Sequence, residues 1–129
     1  MNLQLSLKKN WFEMTKSGIK TEDYREITAY WIKRLFQNII LDRYSISQIL
    51  VDLKYCKNNI DALCVINNWF LSFSKFETNT MTLGYPKTGD TERILKLEHK
   101  GIEIRTGNPE RGAEPNKLYF VIKHGLVLK

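Results

Sequence analysis

The sequence predicts an α+β fold, with strands near both ends of the chain and helices between them, and three stretches carry that expectation. Leu3, Leu5 and Leu7 alternate with Gln4, Ser6 and Lys8, as a half-buried strand requires because successive side chains point to opposite faces. Between residues 27 and 40 apolar side chains recur every four positions (Ile27, Trp31, Leu35, Ile39, and Ile32, Phe36, Ile40), with Lys33, Arg34, Gln37 and Asn38 opposite, so that one stripe runs along a helix. In residues 118–127 both parities are apolar (Leu118, Phe120, Ile122; Tyr119, Val121), the pattern of a strand covered on both faces.

The remaining elements follow in order. After Lys9 the spacing tightens, and Trp11, Phe12 and Met14 fall within one turn of a short helix that can lie on the sheet. Gly18 ends that helix, because glycine tolerates the left-handed backbone that closes a helix, and the polar residues 20–26 read as a second strand. In the helix at 27–40, Trp31 is expected as a core anchor rather than a platform for base stacking. Ser45 or Ser47 can cap a helix that places Ile46, Ile49, Leu50 and Leu53 on one side, and Asn58 and Asn59 read as a break. Residues 60–73 are read as a further helix, although Leu63, Cys64, Val65, Ile66, Trp69 and Phe70 also suit a buried strand. A strand at 76–83 and a loop at 84–90, punctuated by Gly84, Pro86 and Gly89, come next. From 92 to 106 the alternation slips, Leu95 and Leu97 being odd-numbered and Ile102 and Ile104 even, so a bulge or bend is expected near Gly101. Residues 107–115 form a loop carrying Glu110, Arg111 and Glu114.

A chain of 129 residues suits one domain and buries about two-thirds of its unfolded surface, enough for a core without disulfides. No stretch approaches the roughly 20 apolar residues of a membrane span, and the alternating start does not resemble a leader, so a cytoplasmic location in a bacterial or phage-infected cell is expected. Cys56 and Cys64, if on one helix, would lie about 12 Å apart, too far to bond, and are expected as reduced core thiols. With only His99 and His124 and no Cys-x-x-Cys, no structural metal or cofactor is expected. The net charge of +6 is unevenly spread: residues 1–40 carry seven Lys/Arg and four Asp/Glu, 41–80 four of each, and 81–129 nine against six. That bias points to an anionic ligand such as nucleic acid met by the two outer segments.

Those outer segments also carry a family pattern. Gly18, Lys20, Tyr24, Arg25, Glu26, Tyr30, Trp31, Lys33, Arg34 and Leu35 form one block; Lys100-Gly101-Ile102-Glu103-Ile104, Gly107-Asn108-Pro109-Glu110, Gly112-Ala113-Glu114-Pro115 and Tyr119-Phe120-Val121-Ile122-Lys123 form a second. Together they resemble ASCH domains, small β-barrels of the PUA-like superfamily, and in particular the short stand-alone ASCH proteins of bacteriophages and bacteria. The resemblance covers roughly residues 3–36 and 76–125. It implies a single ASCH/PUA-like barrel over 1–129 with flanking helices and an inserted helical segment at about 41–72. It also implies a pocket around Lys20, with Tyr85 at its edge as a possible stacking ring or an unliganded loop tyrosine.

Two kinds of activity follow from the resemblance. One class of relatives hydrolyses the amide of N4-acylated cytidines with a lysine at the position of Lys20 and a threonine three residues later, and others are ribonucleases. Here Asp23 stands in the threonine's place and Thr21 is the nearest hydroxyl, so an enzyme would draw on Lys20, Thr21 and Asp23, with its carboxylate open among Glu103, Glu110 and Glu114. Binding asks for less. Lys8, Lys9, Lys20 and Arg25 can converge on one groove, with Trp11, Tyr24 or Tyr85 as an aromatic face and Glu114 nearby, which is what recognition of RNA or a nucleotide-like ligand requires. Arg25 pairing with Glu22, Glu26 or a carboxylate of the barrel, and Lys9 facing solvent, are the alternatives for those residues. RNA or nucleotide binding is thus the expected function, with hydrolysis of a modified nucleoside or RNA as a second possibility. A third is a phage-encoded protein that presents residues 41–72 to a host partner.

Overall fold

The computed structural model describes residues 1–37, 42–84 and 89–128. Among them the chain is α+β. Its strands are β1 (Asn2–Leu7), β2 (Glu22–Arg25), β3 (Thr78–Leu83), β4 (Ile94–Thr106) and β5 (Leu118–Val127), in the order β1-β3-β4-β5-β2. The helices are α1 (Lys9–Lys16), α2 (Ala29–Leu35), α3 (Arg43–Lys54) and α4 (Asn59–Asn68). The chain divides into two compact units, the first made of Met1–Asp23, Lys75–Gly101 and Ile122–Lys129, the second of Tyr24–Ser74 and Ile102–Val121.

In the first unit β1 runs parallel to β3, Asn2 pairing with Thr78 and Leu7 with Leu83, and β3 runs antiparallel to β4. Leu3, Leu5 and Leu7 are buried as their alternation predicts, and Phe12 of α1, Met81, Leu95, Leu97 and Ile122 complete the apolar interior. Gly18, at φ 84°, turns the chain after α1, and the Lys20 amide closes the turn by donating to the Met14 carbonyl at 3.0 Å. Gly101 takes φ 111° within β4, where the parity slip calls for a bend.

In the second unit α2 is shorter than the four-residue repeat suggests. Thr28 caps it by accepting from the Trp31 amide at 3.3 Å, and it ends at Leu35 because Phe36 is extended and bridges Phe73 as in a β-ladder. The two rings stack at 4.5 Å and both meet Phe120 edge-on, so strand-type pairing and aromatic packing override the helical pattern there; residues 38–40 lie outside the described residues. Ile32 and Leu35 are buried, whereas Trp31 is only half-buried. The cap of α3 is Asp42, not Ser45 or Ser47: its Oδ1 accepts from the Ser45 amide at 2.7 Å. Asn58 caps α4 in the same way, accepting from the Asp61 amide at 2.9 Å. This break puts Cys56 beyond the end of α3 and Cys64 on α4, where Cys64 is exposed rather than a core thiol.

Candidate functional site

The first unit holds a group of polar side chains that are unusually deep. Lys20 is 3% exposed, Asp23 4% and Asn79 0%, with His124 at 8%. A buried ammonium must have its charge matched and its protons accepted. Lys20 Nζ donates to the Glu22 carbonyl at 2.6 Å, lies 3.4 Å from Asp23 Oδ1, and sits 6.0 Å from the centre of the Trp11 ring. Lys20 and Asp23 come together because β2 begins only at Glu22. Lys20 leaves the turn before the strand, so its side chain is free of the alternation that would separate residues three apart. Thr21 is exposed; its carbonyl accepts from the His124 amide at 2.9 Å.

The imidazole of His124 belongs to a second, linked arrangement. Asn79 faces Leu97 across the β3–β4 ladder, so His99, two residues further along β4, lies on the same face as Asn79. The Asn79 amide nitrogen donates to the Lys123 carbonyl at 3.2 Å and meets His124 Nδ1 at 2.7 Å, while Asn79 Oδ1 meets His99 Nδ1 at 2.8 Å. These contacts assign the protons. A carbonyl only accepts, so the nitrogen of Asn79 must be the atom facing Lys123. Its second proton then goes to His124 Nδ1, which must carry a lone pair. Neutral His124 therefore holds its proton on Nε2, and His99 holds one on Nδ1.

Burial pushes the His124 pKa down to about 4, with Asp23 raising it and Lys20, then His99, lowering it further, and Glu22 opposing them. The ring is neutral at pH 7. His124 Nε2 is buried and has no hydrogen-bond partner among the described residues; an N–H left in that state costs about 1–3 kcal/mol. Burial also lowers the His99 pKa, and its ring lies edge-on to Phe76 at 5.4 Å.

The other residues expected at a site are placed as follows. Lys8 and Lys9 are exposed at the start of α1, and Trp11 is half-buried on it. Tyr85 lies outside the described residues. Tyr24, Arg25 and Glu114 belong to the second unit. There the Tyr24 hydroxyl accepts from the Asn108 amide at 3.0 Å and its ring packs on Tyr119. The Arg25 guanidinium sits 5.2 Å from the Trp31 ring, a cation–π contact, and Glu114 reaches Lys117 at 3.6 Å. Of the remaining carboxylates, Glu103 holds Arg105 at 2.9 Å and Glu110 is exposed. The second unit also has a groove of about 660 Å³ lined by Lys54, Lys57, Lys117 and Glu26. Lys117 there is already bonded to Glu26 at 2.8 Å.

Sequence reasoning did not single out Asn79, or His124 for anything beyond metal binding. One signal existed: His124 continues the parity of Phe120 and Ile122, so it occupies an inward position of an apolar strand. No three His, Cys, Asp or Glu side chains among the described residues are gathered to hold a metal ion. No described helix is long and apolar enough to cross a membrane. Comparison with family models, with characterised proteins and with solved structures finds no match for this chain.

Proposed function

We propose that this chain is a cytoplasmic ASCH/PUA-like protein that binds RNA or a nucleotide-like ligand through the cluster around Lys20 in the first unit. The observation that supports this reading most is the lysine itself, an ammonium at 3% exposure held against Asp23 beside the Trp11 ring. Replacing a buried ion pair by apolar residues is often neutral or stabilising, so such a pair is weak support for the fold and better explained by a ligand. A cation with an aromatic face suits a nucleotide. Charge agrees with this: the first unit carries eleven Lys/Arg against seven Asp/Glu, the second nine against seven.

Binding is favoured over hydrolysis by two features. Thr21, the nearest hydroxyl, is exposed while Lys20 and Asp23 are buried. An ammonium matched by a carboxylate donates to acceptors, and with no lone pair it cannot serve as the base that hydrolysis requires. The test is fluorescence anisotropy with a short labelled single-stranded RNA of mixed sequence, comparing the native chain with the double variant Lys20→Gln/Asp23→Asn, which keeps a neutral polar pair. The native chain binds and the variant loses at least about tenfold in affinity, roughly one charge-assisted hydrogen bond. Equal affinity in the two proteins contradicts the reading. Turnover of N4-acetylcytidine abolished by Lys20→Ala would instead establish the hydrolase.

A further inference from the structure

We propose that His124 contacts the ligand directly: its Nε2–H donates to an acceptor oxygen or ring nitrogen of the nucleotide-like ligand, and Asn79 with His99 holds the imidazole in the tautomer that makes this possible. The inference rests on the Lys20 site proposed above and adds to it the residue that selects for an acceptor on the ligand.

Three observations carry it. The His124 amide is bonded to the Thr21 carbonyl at 2.9 Å, which anchors the ring beside the segment that carries Lys20 and Asp23, and the charges of both act on it. Both protons of the fully buried Asn79 amide nitrogen are committed, one to Lys123 and one to His124 Nδ1, so the imidazole can only be a donor at Nε2. Nε2 itself is buried with no partner among the described residues, on a side chain more than nine-tenths buried. Phe or Leu at this position would remove the unmatched Nε2–H only by leaving the buried Asn79 proton without its acceptor, so the fold accounts for Nδ1 of the ring and not for the donor at Nε2. An array that fixes one tautomer and leaves its single remaining donor unmatched is suited to a ligand acceptor. A neutral donor beside the Lys20–Asp23 pair adds directional selectivity, which a point charge lacks, because a site built to bond a polar group rejects analogues without it.

The proposal is tested on the full chain with two variants and one spectrum. His124→Phe and His124→Gln both remove the acceptor offered to Asn79, but only Gln returns an N–H near the position of Nε2. Anisotropy with the labelled single-stranded RNA should show His124→Phe weakened about tenfold and His124→Gln closer to native, at unchanged thermal midpoint between the two. The ¹⁵N spectrum of the ligand-free protein should show His124 protonated on Nε2 and bare on Nδ1, with the Nε2 resonance moving on addition of the RNA. If Lys20→Gln/Asp23→Asn abolishes binding while His124→Phe binds like the native chain, the Lys20 site stands and the role of His124 is overturned. If the spectrum shows the proton on Nδ1, the role is overturned whatever the affinities. If the native chain does not bind the RNA at all, both readings fall together.

Discussion

Lys20 and Asp23 illustrate how one buried pair constrains a site. Removing either charge alone takes from the other its ion-pair partner at 3–4% exposure, so Lys20→Met should cost about 3–5 kcal/mol in chemical denaturation. Adding Asp23→Leu to it should recover most of that loss; a double variant as unstable as the single would show that the pair is not coupled. His124 gives a pH prediction. Its pKa is about 4 in the fold against about 6.5 unfolded, so between those values the unfolded chain binds more protons. Stability is then full above about pH 6.5 and falls as pH drops toward 4, by about 3 kcal/mol in all; His99, depressed in the same direction by burial, adds to the fall. Urea midpoints measured across that window test this, and His124→Phe should flatten the slope. Lys20 was legible in the sequence because the block from Gly18 to Leu35 surrounds it. Asn79 was not, since a polar residue in Thr78-Asn79-Thr80 looks solvent-facing until its partners on β4 and β5 are known.

At the scale of elements, the ends of helices carry the clearest tests. Helix α4 closes with Phe70 at φ 54°, its amide bonded to the Asn67 carbonyl and the Leu71 amide to that of Ile66, the double-bonded motif in which glycine normally takes the left-handed place. Phe70 is 94% exposed, so its ring returns no packing for that strain. Phe70→Gly should therefore stabilise the protein by about 1 kcal/mol; a loss of stability in thermal melts would mean that the ring has a contact. The reverse holds at Gly107, where an added Cβ would lie 2.6 Å from that of Ala113 and 2.7 Å from the Tyr24 ring. Gly107→Ala should destabilise by about 1–3 kcal/mol, read from the same melts. Alternation and the four-residue repeat revealed β1 and α2, but not where α2 stops, that Asp42 caps α3, or that residues 59–68 are helix rather than buried strand. The first two depend on Phe36 meeting Phe73, and on which of several adjacent polar residues turns its oxygen to the helix end.

For the molecule as a whole, the α+β class was readable from the two ends and the middle of the chain, while the sheet order was not. The parallel pairing of Asn2 with Thr78 leaves no local trace, because register across so long a separation is set by the burial of Leu3, Leu5 and Leu7 against β3 rather than by any turn. The excess of positive charge in the first unit bears on function at this scale. If it meets phosphates, affinity for single-stranded RNA should fall linearly on a log–log plot against salt, with a slope of about −0.7 per phosphate neutralised. An affinity indifferent to salt would exclude that contribution. The most direct measurement is a crystal structure of the chain with a short single-stranded RNA. Ligand density should lie within hydrogen-bond distance of Lys20 Nζ and His124 Nε2; RNA seated instead on the exposed Lys33 and Arg34 of α2, with the Lys20 cluster unchanged, would contradict the proposed site.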